Sequence, residues 1–366
     1  MKPVPLDEYP VHQTPLSMAQ VDTTDKNFYD RYYLNAHDRT GRVFLVTGWG
    51  VYPNLGVVDA FATVRRGDVQ RAVRFSDAID ERGLEARVGG YRIEVLEPLR
   101  RLRVVCEHPD LSCDLRWEGS FDAALEERHI LMDGPRPILD ASRFAQVGTW
   151  SGSLLVDGEE FVVDPAEWVG TRDRSWGIRS SGDPDPAGRL ADEPREGFWW
   201  TYVPLRFERY MLLLIMQEHV DGHRTLNHAS RVWDDGRVEQ LGWPRIEIAY
   251  RPGTRHPESA RVHLTTPAGE PLLLEVETLG FVPLAQGCGY VGDTRWTHGQ
   301  WKGRGWSESV EYDLTAPEHV SMFPYGVLDH IARARLGSDE GWGMFEHASM
   351  GRHDPSGFRD YLHMAE

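Results

Sequence analysis

Between residues 29 and 76 the chain is a succession of short runs rich in Val, Phe, Tyr and Trp, at 29–37, 42–51, 57–65 and 68–76. They are punctuated by turn signals such as Asp38-Arg39-Thr40-Gly41 and Pro53-Asn54-Leu55-Gly56. Runs this short cannot be amphipathic helices of ordinary length, and breakers at this spacing reverse the chain each time, so the pattern predicts an antiparallel β-meander. It continues through Tyr91–Glu97, Arg101–Glu107, Ser112–Gly119 and Phe144–Val156. There Leu102, Val104 and Cys106 alternate with polar residues, as in a strand with one buried face.

A second series follows, at Phe198–Pro204, Tyr210–His219, Leu226–Trp233, Arg245–Arg251, Ala260–Thr266, Leu272–Leu279, Gly305–Leu314 and Trp342–Ser349. Between the two lies SSGDPDPAGRLADEPREG, residues 180–197, dense in Pro, Gly and Asp, where a domain crossing is expected. A chain of 366 residues exceeds one ordinary core and suits two of about 150 to 200 residues each. The expected organisation is a Pro-rich arm at 1–27, a first β-domain at 28–190 and a second at 191–366, with no legible internal repeat. The clearest helix candidate is Tyr325–Leu336, where Val327, Leu328, Ile331 and Leu336 approximate one apolar face between Pro324 and Gly337.

Several function classes are disfavoured. A formal charge of −17 without a Lys/Arg block repels phosphate backbones and anionic membranes, so no nucleic acid partner is expected. The longest aliphatic run, Met211–Met216, is too short to span a bilayer, and the opening MKPVPLDEYP has no secretory apolar core, so a cytoplasmic protein is expected. Cys106, Cys113 and Cys288 have no paired spacing and read as buried free thiols. Gly287-Cys288-Gly289-Tyr290-Val291-Gly292 matches G-x-G-x-x-G, but no helix follows it, so no nucleotide is expected. His219, His223 and His228 cluster about an Asp221-Gly222 turn rather than on a helix face, so no metal is expected either.

The densest chemistry is Gly170-Thr171-Arg172-Asp173-Arg174-Ser175-Trp176-Gly177-Ile178-Arg179. In its structural reading Asp173 pairs with Arg172, Arg174 or Arg179 to lock a barrel corner plugged by Trp176. In its functional reading Arg172 and Asp173 orient a ligand or hold a proton at the mouth of an apolar pocket. A second cluster follows the crossing, where alternation sets Trp199 and Thr201 on one face and Phe198, Trp200 and Tyr202 on the other, one of which should meet a cavity or the other domain. The remaining candidates are Glu308, Glu311 and Asp313 on one strand and Glu346 beside His347 near Trp342. A carboxyl group desolvated among aromatics stays protonated near neutrality, as an acid that protonates an alkene must be.

The R-D-x-S-W-G of Arg172, Asp173, Ser175, Trp176 and Gly177, with TGWGVYPNLGVVDAFATV, RFAQVGTWSGSLLVDG and GWGMFEHASMGR, resembles the AttH/CrtC-like superfamily. That superfamily includes carotenoid 1,2-hydratases and more distant lipocalin-like cyclases and pericyclases. The resemblance implies two lipocalin-like β-barrels in contact and acid–base or shape catalysis on isoprenoid or polyketide chains without a metal. The expectation is thus an all-β enzyme that hydrates, cyclises or isomerises an apolar substrate without cofactor. Asp173 and Glu346 are the first candidate acids, with Glu311 also considered. Tyr202 and Tyr312 are candidate proton partners; Trp176, Trp199, Trp200 and Trp342 are candidate cation-stabilising walls; Arg172 and His347 are candidate binding residues. The rivals are a carrier of a lipid, terpenoid or steroid, for which a lined cavity suffices, and a partner-binding module with an aromatic interface.

Overall fold

In the computed structural model, the described residues are 2–10, 20–80, 84–133, 136–184, 196–290 and 292–366. They form an all-β protein of two large antiparallel sheets, one of them half a barrel. The interdomain crossing expected at 180–197 falls largely outside the described residues.

In the first sheet the strand order runs from Trp306–Asp313 through Val69–Ala78, Val57–Arg66 and Val43–Tyr52 to Phe28–His37. It continues through Val169–Arg179 and Arg136–Val156 to the Leu111–Gly119 and Arg101–Cys106 strands and beyond. In the second sheet Gly197–Arg206 lies between Tyr210–Glu218 and Asp339–Gly351. The two sheets share a winding rule. Val169–Arg179 returns to pair with Phe28–His37, and Asp339–Gly351 returns to pair with Gly197–Arg206. The strand Trp306–Asp313 follows the second sheet's Pro271–Pro283 in sequence but adds to the edge of the first sheet beside Val69–Ala78. The segment that precedes it, 284–305, therefore crosses from one sheet to the other.

Each sheet wraps an apolar core on one face: Leu34, Leu45, Trp117 and Trp150 in the first, Val203, Leu212, Val262 and Phe345 in the second. The opposite faces meet in a third core of Phe44, Phe61, Val147, Trp200, Ile215 and Met344. Strands in the middle of this stack are buried on both sides. All ten residues of Val43–Tyr52 and all nine of Tyr210–Glu218 are buried, which accounts for apolar runs such as Met211–Met216 that break alternation.

The segment Tyr325–Leu336 is not a helix. Leu328–Leu336 is a strand in register with both Pro271–Pro283 and Asp339–Gly351, and the short helix near the C-terminal end is Pro317–Val320. Ala332, Ala334 and Leu336 are buried while Arg333 and Arg335 are exposed, an alternation of period two that outweighs the approximate helical stripe. No helix among the described residues is long and apolar enough to cross a membrane.

The arm before the first strand is fixed by charge. Glu8 is fully buried and takes a bidentate hydrogen bond from Arg172, at 2.7 and 2.9 Å, while its carboxylate also accepts the Leu99 backbone N–H at 2.7 Å. Removing one partner of such a pair strands the other charge in a low dielectric. Glu8→Ala is expected to cost about 3–5 kcal/mol of unfolding free energy in chemical denaturation. A loss below about 1 kcal/mol would show that water reaches Arg172 freely.

Candidate functional site

Pleating splits the dense arginine segment into two faces. Arg172 points toward Glu8, and Arg174 toward Asp30 at 2.5 Å, with its guanidinium 4.0 Å from the centre of the Tyr32 ring. Trp176 lies on the same face as these, in an outer groove with Asp7, Tyr9 and Asp30. Asp173, Ser175 and Arg179 face the other way, into a cavity of about 120 Å³ between the sheets. Asp173 does not pair with its flanking arginines, because Glu8 and Asp30 already neutralise them.

Tyr29, Arg31 and Tyr33 enter this cavity from the neighbouring Phe28–His37 strand, and Phe198 and Trp200 from the second sheet, so of the two faces of 198–202 it is theirs that meets a cavity. Arg143, Glu126, His129, Tyr290, Val327 and Glu346 complete the wall that matters chemically. The lining is more charged than the apolar pocket expected from the sequence.

Burial raises the Asp173 pKa to about 6; Arg143 opposes the rise, Glu346 adds to it, and Arg31 and Arg179 oppose it. Glu126 is raised to about 7 by burial, against the pull of Arg143, with which it forms an ion pair. Arg143 in turn lies 5.6 Å from the Trp200 ring centre and 4.7 Å from that of Tyr202. His129 stacks on Trp200 at 5.2 Å, and burial lowers its pKa to about 4, so it is a neutral ring at pH 7.

Beneath Glu346 sits Asp329, fully buried and directly across the strand pair from it. Burial, then the charge of Glu346, drives the Asp329 pKa well above the ordinary carboxyl range. The Tyr33 hydroxyl donates to Asp329 Oδ2, and the Trp200 indole N–H donates to Glu346 Oε1. Asp329 therefore holds its proton near neutrality, next to the cavity-facing Glu346.

On the far side, Arg31 donates to His298 Nε2 at 2.8 Å. A guanidinium only donates, so this ring nitrogen is the acceptor and the proton is on Nδ1, turned toward Asp59 3.9 Å away. Asp59 accepts the Gly299 N–H at 2.7 Å, and burial raises its pKa to about 7. The 284–305 crossing supplies both His298 and Tyr290. Its G-x-G-x-x-G is a tight loop folded on Asp293, which accepts the Gly287, Arg295 and Trp296 N–H groups; a Cβ on Gly289 (φ +75°) would lie 2.3 Å from Trp296.

Of the residues singled out in the sequence, the cavity collects Asp173, Glu346 and Trp200. Tyr202 is buried alongside, near Glu126 and Arg143. The others lie elsewhere. Trp199 stacks on His353 at 5.1 Å on the opposite face of its strand, and His347 is bound there between Thr201 and Tyr250. Glu311 forms an exposed ion pair with Arg71, Tyr312 packs against His319, and Trp342 lies near Arg333 and His37. The three cysteines are buried free thiols. His219 and His223 flank a hairpin turn, and among the described residues no group of three or more His, Cys, Asp and Glu side chains could hold a metal ion.

A family model described as a family of unknown function (DUF8625) matches residues 4–359. The chain belongs to that family. No curated protein matches it in sequence. Among solved structures it resembles a protein assigned as AttH from Nitrosomonas europaea, at 11% identity and a TM-score of 0.55 over 88% of this chain and 92% of that one. Kievitone hydratase from Nectria haematococca superposes at 12% identity and a TM-score of 0.51 over 87% and 88%. CghA does so at 12% identity and 0.51 over 89% of each chain, and it has also been solved with Sch210972. The DUF8625 chain thus has the AttH/CrtC-like fold that its R-D-x-S-W-G segment resembles.

The Asp173 shift has a consequence for stability. A folded-state pKa of about 6, above the unfolded value of 3.8, means the fold binds this proton more tightly. The resulting stabilisation is complete below about pH 4 and lost as pH rises through 6. Asp173→Asn is therefore expected to melt with the wild type at pH 4 and above it at pH 7.5, by at most about 3 kcal/mol. Thermal denaturation at both pH values checks this; a variant less stable at pH 7.5 would mean that attraction to the three arginines outweighs desolvation.

Proposed function

We propose that this protein is an acid–base enzyme that hydrates, cyclises or isomerises a largely apolar isoprenoid- or polyketide-like molecule between its two sheets, needing no metal or nucleotide for the proton transfers. The observation that carries this reading is the separation of carboxyl pKa values around one cavity: Asp173 at about 6, and Asp329, behind Glu346, far higher. At pH 7 Asp173 is mostly ionised and is the base, while the Asp329–Glu346 pair retains a proton and is the acid.

In a hydration the pair delivers its proton to one carbon of a polarised double bond, and the developing positive charge faces Trp200 and Tyr33. Water attacks the other carbon and loses its proton to Asp173. Cyclisation and isomerisation use the same two transfers with a carbon nucleophile or a carbon-bound proton in place of water. An enclosed volume of about 120 Å³ accommodates the reacting end of a substrate, with the remainder directed to the mouth. The likeness in fold to kievitone hydratase supports the reaction class.

The test is incubation in deuterated water with a panel of prenylated and polyketide alkenes, enones and their hydrated counterparts, read by mass spectrometry. Water addition or loss, or deuterium on carbon, is expected with wild type. Asp173→Asn and Asp329→Asn should each slow it by about a hundredfold or more, the usual contribution of a positioned acid or base. Turnover that survives both substitutions would sink this reading, and ligands bound without either change would favour a carrier.

The pH profile gives a second check. Activity is expected to rise through about pH 6 as Asp173 ionises and to fall at higher pH as the carboxyl pair loses its proton. Asp329→Asn should displace the alkaline limb in its residual activity and leave the acid limb in place.

A further inference from the structure

The other buried arginines around this interface are neutralised. Arg172 is paired with Glu8, Arg174 with Asp30, Arg143 with Glu126 and Arg74 with Asp293. Arg255, beneath the second sheet, is saturated by the backbone carbonyls of Ser349, Gly351, Asp360 and His363. Arg31 and Arg179 differ. Both line the cavity, and neither has a carboxylate within ion-pair distance among the described residues. Arg31 is 6% exposed, and its side-chain hydrogen-bond partner among the described residues is a neutral imidazole, that of His298. The two guanidinium groups lie 5.0 and 5.2 Å from the centre of the same Tyr290 ring, which brings both positive charges to one part of the lining.

We propose that the Arg31–Arg179 pair is a subsite for a planar, singly charged oxygen group on the substrate, a carboxylate or the enolate of a β-dicarbonyl. A guanidinium presents paired, coplanar N–H donors that match two oxygens of a planar anion. Arg31 is held in place by the His298–Asp59 arrangement behind it, so little ordering is needed on binding. A phosphate is a poorer match, because its second charge would lie against Asp173 and Glu346 in the same cavity. The subsite rests on the interface cavity being the working site, and it gives the substrate of that site a polarity: an anionic head beside Tyr290 and an apolar body along Phe198 and Val327.

The test is isothermal titration calorimetry of the full chain at about pH 7.5 with two anions, benzoate and the enolised diketone dimedone. Their neutral counterparts are benzamide and 3,3-dimethylcyclohexanone. At least one anion is expected to bind about tenfold or more tighter than its neutral partner, and which one does so distinguishes carboxylate from enolate. Arg179→Gln, at a half-buried position that does not support the core, should weaken that anion about ten- to a hundredfold, the equivalent of one charge-assisted hydrogen bond. Arg31→Gln should do the same where circular dichroism shows it folded, and Asp173→Asn should tighten binding by removing a repelling charge. Equal affinity for anions and neutral partners, no binding by either anion, or an unchanged affinity in Arg179→Gln would overturn the subsite. Anion binding without any proton transfer to carbon would instead overturn the acid–base reading and leave the subsite standing.

Discussion

The arrangement depends on how a pleated strand that carries charges on both faces is neutralised. Arg172 and Arg174 project into the first half of the molecule, where water cannot screen them, and each requires a carboxylate there. Glu8 and Asp30 provide these, one from the N-terminal arm and one from the adjacent strand. Asp173, on the opposite face of the same strand, has no ion-pair partner among the described residues and faces the cavity. A local pairing of Asp173 with Arg172 or Arg174 is excluded by geometry, since neighbours on a strand point to opposite faces.

The cavity is a property of the pair of sheets. Asp173, Arg31, Arg143 and Arg179 come from the first, Trp200 and Glu346 from the second, and Tyr290 from the segment that crosses between them. That crossing ends in a strand added to the first sheet's edge, so the two halves are tied by backbone hydrogen bonds as well as by the apolar core of Phe61, Trp200 and Met344. Most of these side chains are thus held on paired strands of a packed interface.

Period-two alternation and regularly spaced turns made the all-β class legible, and alternation also sorted Trp199 from Trp200 correctly. Asp173 was legible because charges crowd around it in sequence, and Glu346 because it sits in a Trp- and Phe-rich strand. Asp329 was hidden by a wrong period. In LDHIARARL the apolar residues can be drawn as a helical stripe, and that drawing puts the aspartate on a solvated flank; the Arg-Ala-Arg-Leu ending carried the strand signal. Glu126, His129, Arg143 and Arg31 were hidden for a different reason. Each is an ordinary polar residue, on a strand or, for Glu126, between two short ones, and only the pairing of distant strands brings it to the cavity. Conversely Glu311, Tyr312, Trp176 and Trp342 are conspicuous residue types that the sheet register places away from the cavity, the first two on an edge strand, Trp176 in an outer groove and Trp342 between the sheets beside His37.

The charged lining decides what kind of catalyst such a cavity can be. In an apolar pocket a carboxyl group is simply protonated, and every acid in it resembles every other. Here burial raises the Asp173, Glu126 and Asp329 carboxyls, and nearby arginines draw the first two back. Asp173 faces Arg143, Arg31 and Arg179 and returns to about 6, whereas Asp329 has Glu346 as its foremost charged neighbour and stays high. The same fixed cations therefore separate Asp173 from Asp329 in proton affinity, and among the described residues Arg31 and Arg179 keep no ion-pair partner in the same lining.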